Sequence, residues 1–454
     1  MPRQTWSSRL TYILTVAGAT IGFGATWRFP YLVGQNGGGA YVLTFIIVMF
    51  AVGVPIILVE NVIGRRALSN AVDAFSTKDK KDSTWKIFGY LGLIGAFGIL
   101  AYYMVIGGWV ISYIVNVTKG ALFSTGLDLS NPISKEVTET FYHQEIDNNQ
   151  SAIAFYTFIF LLVNFIILRK GIIQGIEKAV KYLMPLLFIC LLVMVLKNLT
   201  LDGAMEGVRF YLTPDFSKIT PKLFLDVLGQ VFFALSLGFG VMITLSSHLN
   251  KEENLIKTAT ITGILNTLIA VMAGFMIFPS IFSAGLQPDS GPSLVFKTLP
   301  IAFSRMGGGD FFAIIFFSLL IIAALTTSLT IYQVIISVLY EKFKIKLNSA
   351  IFITLATVYV LGNIPCVLSN GLWSDVTIFG KNIFDAFDFF SGNICFVLTA
   401  LGATLYVGYV LKDEAKAELN NYNDKKCILV NVWYNYVRYV APIIIIAIFV
   451  YGII

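Results

Sequence analysis

Charge is scarce in this chain of 454 residues. Asp, Glu, Lys and Arg make up 13% of it, where a soluble globular domain carries about 25%. There are two histidines, His143 and His248, too few for a histidine metal cluster. The four cysteines, Cys190, Cys366, Cys395 and Cys427, include no Cys-x-x-Cys pair. That spacing excludes a zinc knuckle or a disulfide framework and leaves them as small core residues. No Gly-x-Ser-x-Gly run and no matched acid pair occurs, so the common hydrolytic machineries are absent. The net charge of +6 is spread over short loops between apolar runs, which is not the single basic patch that nucleic acid requires.

What the chain has instead is apolar length. It is 57% hydrophobic, with a mean hydropathy of +0.78. Runs of about 20 apolar residues mark bilayer-crossing helices. They fall near 10–34, 41–63, 88–117, 152–168, 179–197, 225–247, 256–283, 311–340, 350–369, 383–411 and 436–453. The expected fold is therefore an all-α integral membrane protein of about 11 transmembrane helices, with the lipid bilayer as its main partner. The connections are short except for 118–151, 198–224 and 284–310. Counting lysine and arginine along alternate loops puts more than twice as many on the side of Arg65, Arg66, Arg169, Lys170, Lys342 and Lys412 as on the other. The bias predicts a cytoplasmic N-terminus and an extracellular C-terminus in the plasma membrane. Arg3 and Arg9 before an apolar run imitate a secretory leader, but the glycine-rich continuation carrying Arg28 argues against cleavage.

Two runs are interrupted. The first reads Gly18-Ala19-Thr20-Ile21-Gly22-Phe23-Gly24-Ala25-Thr26-Trp27-Arg28-Phe29-Pro30, and the sixth carries Ser236-Leu237-Gly238-Phe239-Gly240. Glycine weakens a helix and a charge at membrane depth is costly. Inside a bundle, such a break frees backbone groups to hold a substrate or an ion. Spans one and six correspond if the first ten spans form two five-helix halves, and an odd half-length inverts the second half. The expected organisation is a 5+5 inverted repeat with discontinuous helices 1 and 6. Repeat one covers about 8–198 and repeat two about 223–411, followed by an extra helix at about 428–454. Paired interruptions of this kind point to a midplane transport site.

The segments Gly22–Pro30, Asn36-Gly37-Gly38-Gly39-Ala40-Tyr41, Pro55 with Glu60 and Gly64-Arg65, Tyr102-Tyr103 and Ser236–Gly240 together resemble the neurotransmitter:sodium symporter family. They do so in order along almost the whole chain. The eleven-span form is similar to bacterial amino-acid members of that family. The resemblance implies an amino-acid substrate, Na+ as the coupled ion, no enzymatic activity and no obligatory protein partner.

It also implies a substrate site. Thr20, Gly22, Phe23 and Gly24 would offer backbone amides to a carboxylate, which the positive end of a half-helix also attracts. Tyr103 would donate its hydroxyl, and Phe233, Ser236 and Phe239 would supply carbonyls and wall. Ile99, Phe233, Phe239, Ser328 and Ile331 would form an apolar side-chain pocket. Gly22 stands where monoamine members carry an aspartate, so a neutral aliphatic or aromatic amino acid is expected.

By the same resemblance one sodium site is complete: carbonyls of Gly18 and Ile21, with Ala323, Thr326 and Thr327 on one helix face. The second site departs from the pattern. Ala25 and Ala234 replace side-chain oxygens, which leaves Asn266 and the nearby Thr20; a site short of two ligands is expected to bind Na+ weakly. Phe45, Gln230, Ala234 and Ala270 stand at the positions of the chloride site, which implies chloride independence. Arg28 with Asp388 is the expected outer gate and Arg3 with Glu341, beside Trp6, the inner one. Glu60 inside span two reads as a bridge to the unwound backbone. A proton-coupled amino-acid permease on a similar fold, or an amino-acid receptor without transport, remains open; Thr326 and Thr327 favour sodium over protons.

Overall fold

The computed structural model describes residues 5–76, 83–288, 293–363, 373–421 and 428–453. Apart from one small hairpin, Thr377–Ile378 paired with Lys381–Asn382, its regular structure is helical. The first apolar run is a bent pair, α1 (Arg9–Thr20) and α2 (Gly24–Gln35), meeting at 54°. It is followed by α3 (Gly39–Ala67), α4 (Lys86–Phe123), α5 (Gln150–Leu168) and α6 (Ile172–Leu199). The sixth run is α7 (Pro221–Ala234) and the short α8 (Val241–Ser246). Then come α9 (Leu255–Ser283), α10 (Gly309–Lys342), α11 (Leu347–Leu361), α12 (Ile383–Leu411) and α13 (Ile428–Ile453).

Among the described residues, eight of these helices are long and apolar enough to cross a bilayer, and the bent pair makes a ninth. The remaining two of the eleven expected spans take other forms. Run 225–247 is broken at 235–240, and run 350–369 is a helix of 15 residues that precedes the undescribed stretch 364–372. α4 is also longer than its apolar run suggested, at 38 residues.

The breaks follow from local chemistry. α1 starts at a Ser8 cap that accepts from the Thr11 amide, a standard way to satisfy free helix N–H groups. It stops at the Ile21-Gly22 bend. Between α7 and α8, Ser236, Gly238 and Gly240 all take positive φ, at 52°, 80° and 75°. That conformation is nearly free for glycine and strained for serine. A Cβ on Gly238 would also strike the Phe396 carbonyl.

The two breaks lie side by side in the buried core. α1 packs on α6, α9 and α10, and α8 packs on α3 and α10. α13 is covered mainly on the side that meets α12. The large apolar side chains that remain exposed, such as Phe155, Ile189, Phe352 and Ile443, suit a lipid surface. Asn116 and Asn198, the asparagines of two Asn-x-Thr sequons, are buried in helices α4 and α6.

Candidate functional site

The unwound end of α1 exposes a ladder of carbonyl oxygens, and four other parts of the chain reach in to hold them. Thr327 of α10 donates its hydroxyl to Gly18 O at 2.8 Å. Ser236 of the second break donates to Ala19 O at 3.1 Å. Asn266 of α9 donates to Thr20 O at 3.0 Å and to Ala234 O at 3.2 Å. Gln230 of α7 donates to Gly24 O at 2.8 Å. All four side chains are buried. A buried carbonyl without a partner costs about 1–3 kcal/mol, so these bonds make the break a stable feature.

Glu60 on α3 serves the second break. Its Oε1 accepts from the Gly238 amide at 2.6 Å, and its Oε2 has no partner. It therefore bridges α3 to break two.

Between the breaks lies a small cavity of about 20 Å³, lined by Ala19, Thr20, Gly22, Phe23, Gly24, Ile99, Tyr103, Phe233, Ser236, Phe239, Thr327 and Ile331. Ten of the eleven residues named for a substrate pocket are in this lining. Ser328 is not; its hydroxyl donates to Asn164 at 2.8 Å and to Leu325 O at 3.0 Å. Ala19 and Thr327 take part without having been named for it. Tyr103 Oη lies 3.4 Å from the Phe23 amide, and its ring packs 4.7 Å from that of Phe23. A Cβ on Gly22 would collide with Tyr103 Oη and lie 2.6 Å from Thr327 Oγ1. In this arrangement a larger residue at position 22 would have to displace the Tyr103 and Thr327 hydroxyls.

Of the oxygens named for a sodium site, Gly18 O and Thr327 Oγ1 meet across the α1–α10 contact at 2.8 Å. Gly18, Ile21, Ala323, Thr326 and Thr327 are all buried. Thr326 Oγ1 turns back to Ala323 O at 3.0 Å and Ile322 O at 3.2 Å, the usual resting bond of a helical threonine. A Cβ on Gly18 would lie 3.1 Å from Thr326 Cβ, so glycine lets the two helices approach closely here. Hydroxyls and carbonyls without formal charge form a donor set that fits a hard monovalent cation.

The donor set named for a weak second sodium is short of side-chain oxygens. Ala25 and Ala234 offer methyl groups, and the Thr20 hydroxyl is bonded within its own helix to Ala17 O at 3.0 Å. Asn266 turns its NH2 group, not its oxygen, toward Thr20 O and Ala234 O. At the chloride positions, Phe45 packs 4.6 Å from Phe29, the Gln230 amide is engaged with Gly24 O, and Ala270 is buried.

A vestibule of about 180 Å³ lies beyond the cavity, lined by Trp27, Arg28, Tyr31, Tyr102, Phe384, Asp385 and Asp388 among others. Phe23, Tyr103 and Phe233 line both spaces and form the wall between them. Arg28 and Asp388 face each other across this vestibule without an ion pair. The Arg28 guanidinium stands 4.4 Å over the Phe233 ring, and Asp388 accepts from the Tyr102 hydroxyl at 2.6 Å. Phe239 is pinned by a stacked Phe396, with ring centroids 3.6 Å apart.

The opposite end of α1 is fastened down. Trp6 Nε1 donates to Leu245 O at 3.0 Å, Ser7 bonds to Glu177, and Arg9 pairs with Glu253 at 3.7 Å. Arg3 lies outside the described residues, so its pairing with Glu341 has no structural counterpart to report. Nearby, Asp73 joins Lys342 at 2.8 Å and Lys86 at 3.1 Å. Partial burial alone would raise the Asp73 carboxyl, but hydrogen bonds from Lys342, Asn70 and Lys86 outweigh it and hold the group below the usual carboxylate range. Fully buried Arg65 and Glu418 pair at 2.5 Å, with Lys251 on the same carboxylate at 3.3 Å.

Comparison with known proteins matches residues 3–131 and 136–454 to the model of the sodium:neurotransmitter symporter family. A sodium-dependent transporter of Haemophilus influenzae is 63% identical, covering 99% of this chain and 98% of that one. A sodium-dependent transporter of Bacillus subtilis is 35% identical, covering 98% and 96%. Among solved structures, that of MhsT in complex with L-phenylalanine superposes with a TM-score of 0.88 at 35% identity, covering 99% of this chain and 100% of that one.

Proposed function

Because the chain belongs to the sodium:neurotransmitter symporter family, which consists of sodium-coupled membrane transporters and not enzymes, we propose that it imports a neutral hydrophobic amino acid together with Na+ by alternating access. The observation that carries this reading is the cavity between the two helix breaks. Its walls are Ile99, Phe233, Phe239 and Ile331, and its polar rim is the Thr20–Gly24 backbone with Tyr103 Oη. The L-phenylalanine held by MhsT supports a hydrophobic side chain in such a pocket.

In this reading the substrate carboxylate meets the amides of Gly22 to Gly24 and the Tyr103 hydroxyl, where the positive end of α2 favours it. Its ammonium group meets carbonyls freed at the breaks, and Gly22 leaves no acid to hold an amine that lacks a carboxylate. The sodium is held by Gly18 O, Ile21 O, Ala323 O, Thr326 Oγ1 and Thr327 Oγ1. That ion would replace the Thr327–Gly18 hydrogen bond as the link between α1 and α10, so its binding is coupled to the geometry of the break. A cavity of about 20 Å³ is too small for an amino acid, so binding requires the Phe233 wall under Arg28 to move outward. Arg28 and Asp388 would then pair as the outer gate, and release of Trp6, Ser7 and Arg9 from their partners would open the inner side.

The two halves at about 8–198 and 223–411 would form the inverted repeat that gives both sides equivalent motions, with the N-terminus cytoplasmic and the C-terminus extracellular. The apolar character of Phe45, Ala234 and Ala270 supports chloride independence.

A panel of twenty labelled amino acids, presented to proteoliposomes of the purified protein with and without an inward Na+ gradient, tests the substrate class. Sodium-stimulated uptake of branched or aromatic amino acids is the expected result. Uptake restricted to acidic, basic or carboxylate-free amines would refute it.

A further inference from the structure

Asn266 touches both helix breaks at once. Its Nδ2 donates to Thr20 O, at the end of α1, at 3.0 Å and to Ala234 O, at the end of α7, at 3.2 Å. The residue is fully buried, and its Oδ1 has no partner. A primary amide carries two donors on nitrogen and none on oxygen. Turned over, Oδ1 would confront two carbonyl oxygens with no hydrogen between them, an arrangement tolerable only around a cation. As it stands, the two polarised hydrogens satisfy both carbonyls.

Beyond those two carbonyls and Oδ1 itself, the surroundings add no side-chain oxygen that would complete a cation's shell. Ala25 and Ala234 present methyls, and the Thr20 hydroxyl is committed to Ala17 O. The orphaned Oδ1 is the cost of this orientation, and two satisfied carbonyls are its return.

We propose that the Asn266 amide stands in for the second sodium, tying the two breaks together in neutral form, so that one sodium accompanies each amino acid. The proposal rests on the sodium-symport reading above and makes Asn266 a determinant of coupling stoichiometry.

The test is the steepness of the Na+ dependence of labelled L-phenylalanine binding to the purified full-length protein. The wild type is expected to show a Hill slope near one. In Asn266→Asp a carboxylate would face the same two carbonyls at alkaline pH. The slope should then rise toward two, with more Na+ needed for half-saturation, and acidification that protonates the new acid should bring it back toward one. Asn266→Ser, which keeps a single donor, should bind less tightly with the slope still near one.

A wild-type slope near two overturns the proposal and leaves sodium symport standing. So does an Asn266→Ser slope near two, or an Asn266→Asp protein that binds with an unchanged slope. Binding indifferent to Na+ overturns the symport reading itself.

Discussion

Thr327 donates its hydroxyl to the Gly18 carbonyl at 2.8 Å, and this bond joins the unwound end of α1 directly to the middle of α10. Sodium in the proposed site would take over that link, because the same two oxygens are among its ligands. Thr327→Val keeps the shape and removes the oxygen. We expect the Na+ concentration for half-maximal substrate binding to rise at least tenfold, equivalent to about 1.4 kcal/mol. Thr327→Ser should stay near the wild type. Titration of labelled substrate binding against Na+ checks both.

Tyr103→Phe removes the one side-chain hydroxyl aimed at the proposed carboxylate position. A hydrogen bond to a charged group is worth about 1.5–3 kcal/mol, so substrate affinity should fall by about 10- to 100-fold while the Na+ requirement changes little. Saturation binding at fixed Na+ gives the answer; an unchanged affinity would remove Tyr103 from the site.

Gly22→Ala places a methyl against Tyr103 Oη and Thr327 Oγ1. Uptake should be lost while the protein still elutes as a monodisperse peak, since the clash sits at the site and not along a lipid-facing helix. Gly229→Ala is the control, because a Cβ there meets nothing within 4 Å, and it should retain most of its uptake.

Much of this site was legible because it is built from residues with few structural alternatives. Three glycines and a proline within one apolar run cannot make a straight spanning helix, and the bend falls at Ile21-Gly22 accordingly. Ala323, Thr326 and Thr327 share a helix face by spacing alone.

What the sequence hid were side chains whose roles depend on distant partners. Gln230 and Asn266 read as isolated amides in apolar helices, yet their partners lie 206 and 246 positions away. Ser328 is next to Thr327 in sequence, but 100° of helical turn directs it to Asn164 instead of the cavity. Arg28 and Asp388 are expected to pair as a gate, but here the guanidinium lies on the Phe233 ring and Tyr102 donates to Asp388. The fastening of α1 through Ser7–Glu177 and Arg9–Glu253 left no sequence signal, since the partners lie 170 and 244 positions apart and nothing local pairs them.

Replacing chloride by gluconate should leave the initial rate of uptake unchanged. Phe45, Ala234 and Ala270 offer an anion no donor, and Gln230 is already engaged with Gly24 O. Uptake in matched chloride and gluconate buffers at constant Na+ checks this; a severalfold drop would contradict it.

The central claim is that an inward Na+ gradient drives amino-acid entry through the site between the breaks. Its most direct test is the time course of labelled L-phenylalanine accumulation in proteoliposomes containing wild-type or Thr327→Val protein. Each is driven in turn by a Na+, K+ or H+ gradient. Transient accumulation above equilibrium is expected with Na+ alone, at a level sharply reduced in Thr327→Val. Equal accumulation under the K+ or H+ gradient, or none above equilibrium with Na+, would contradict it.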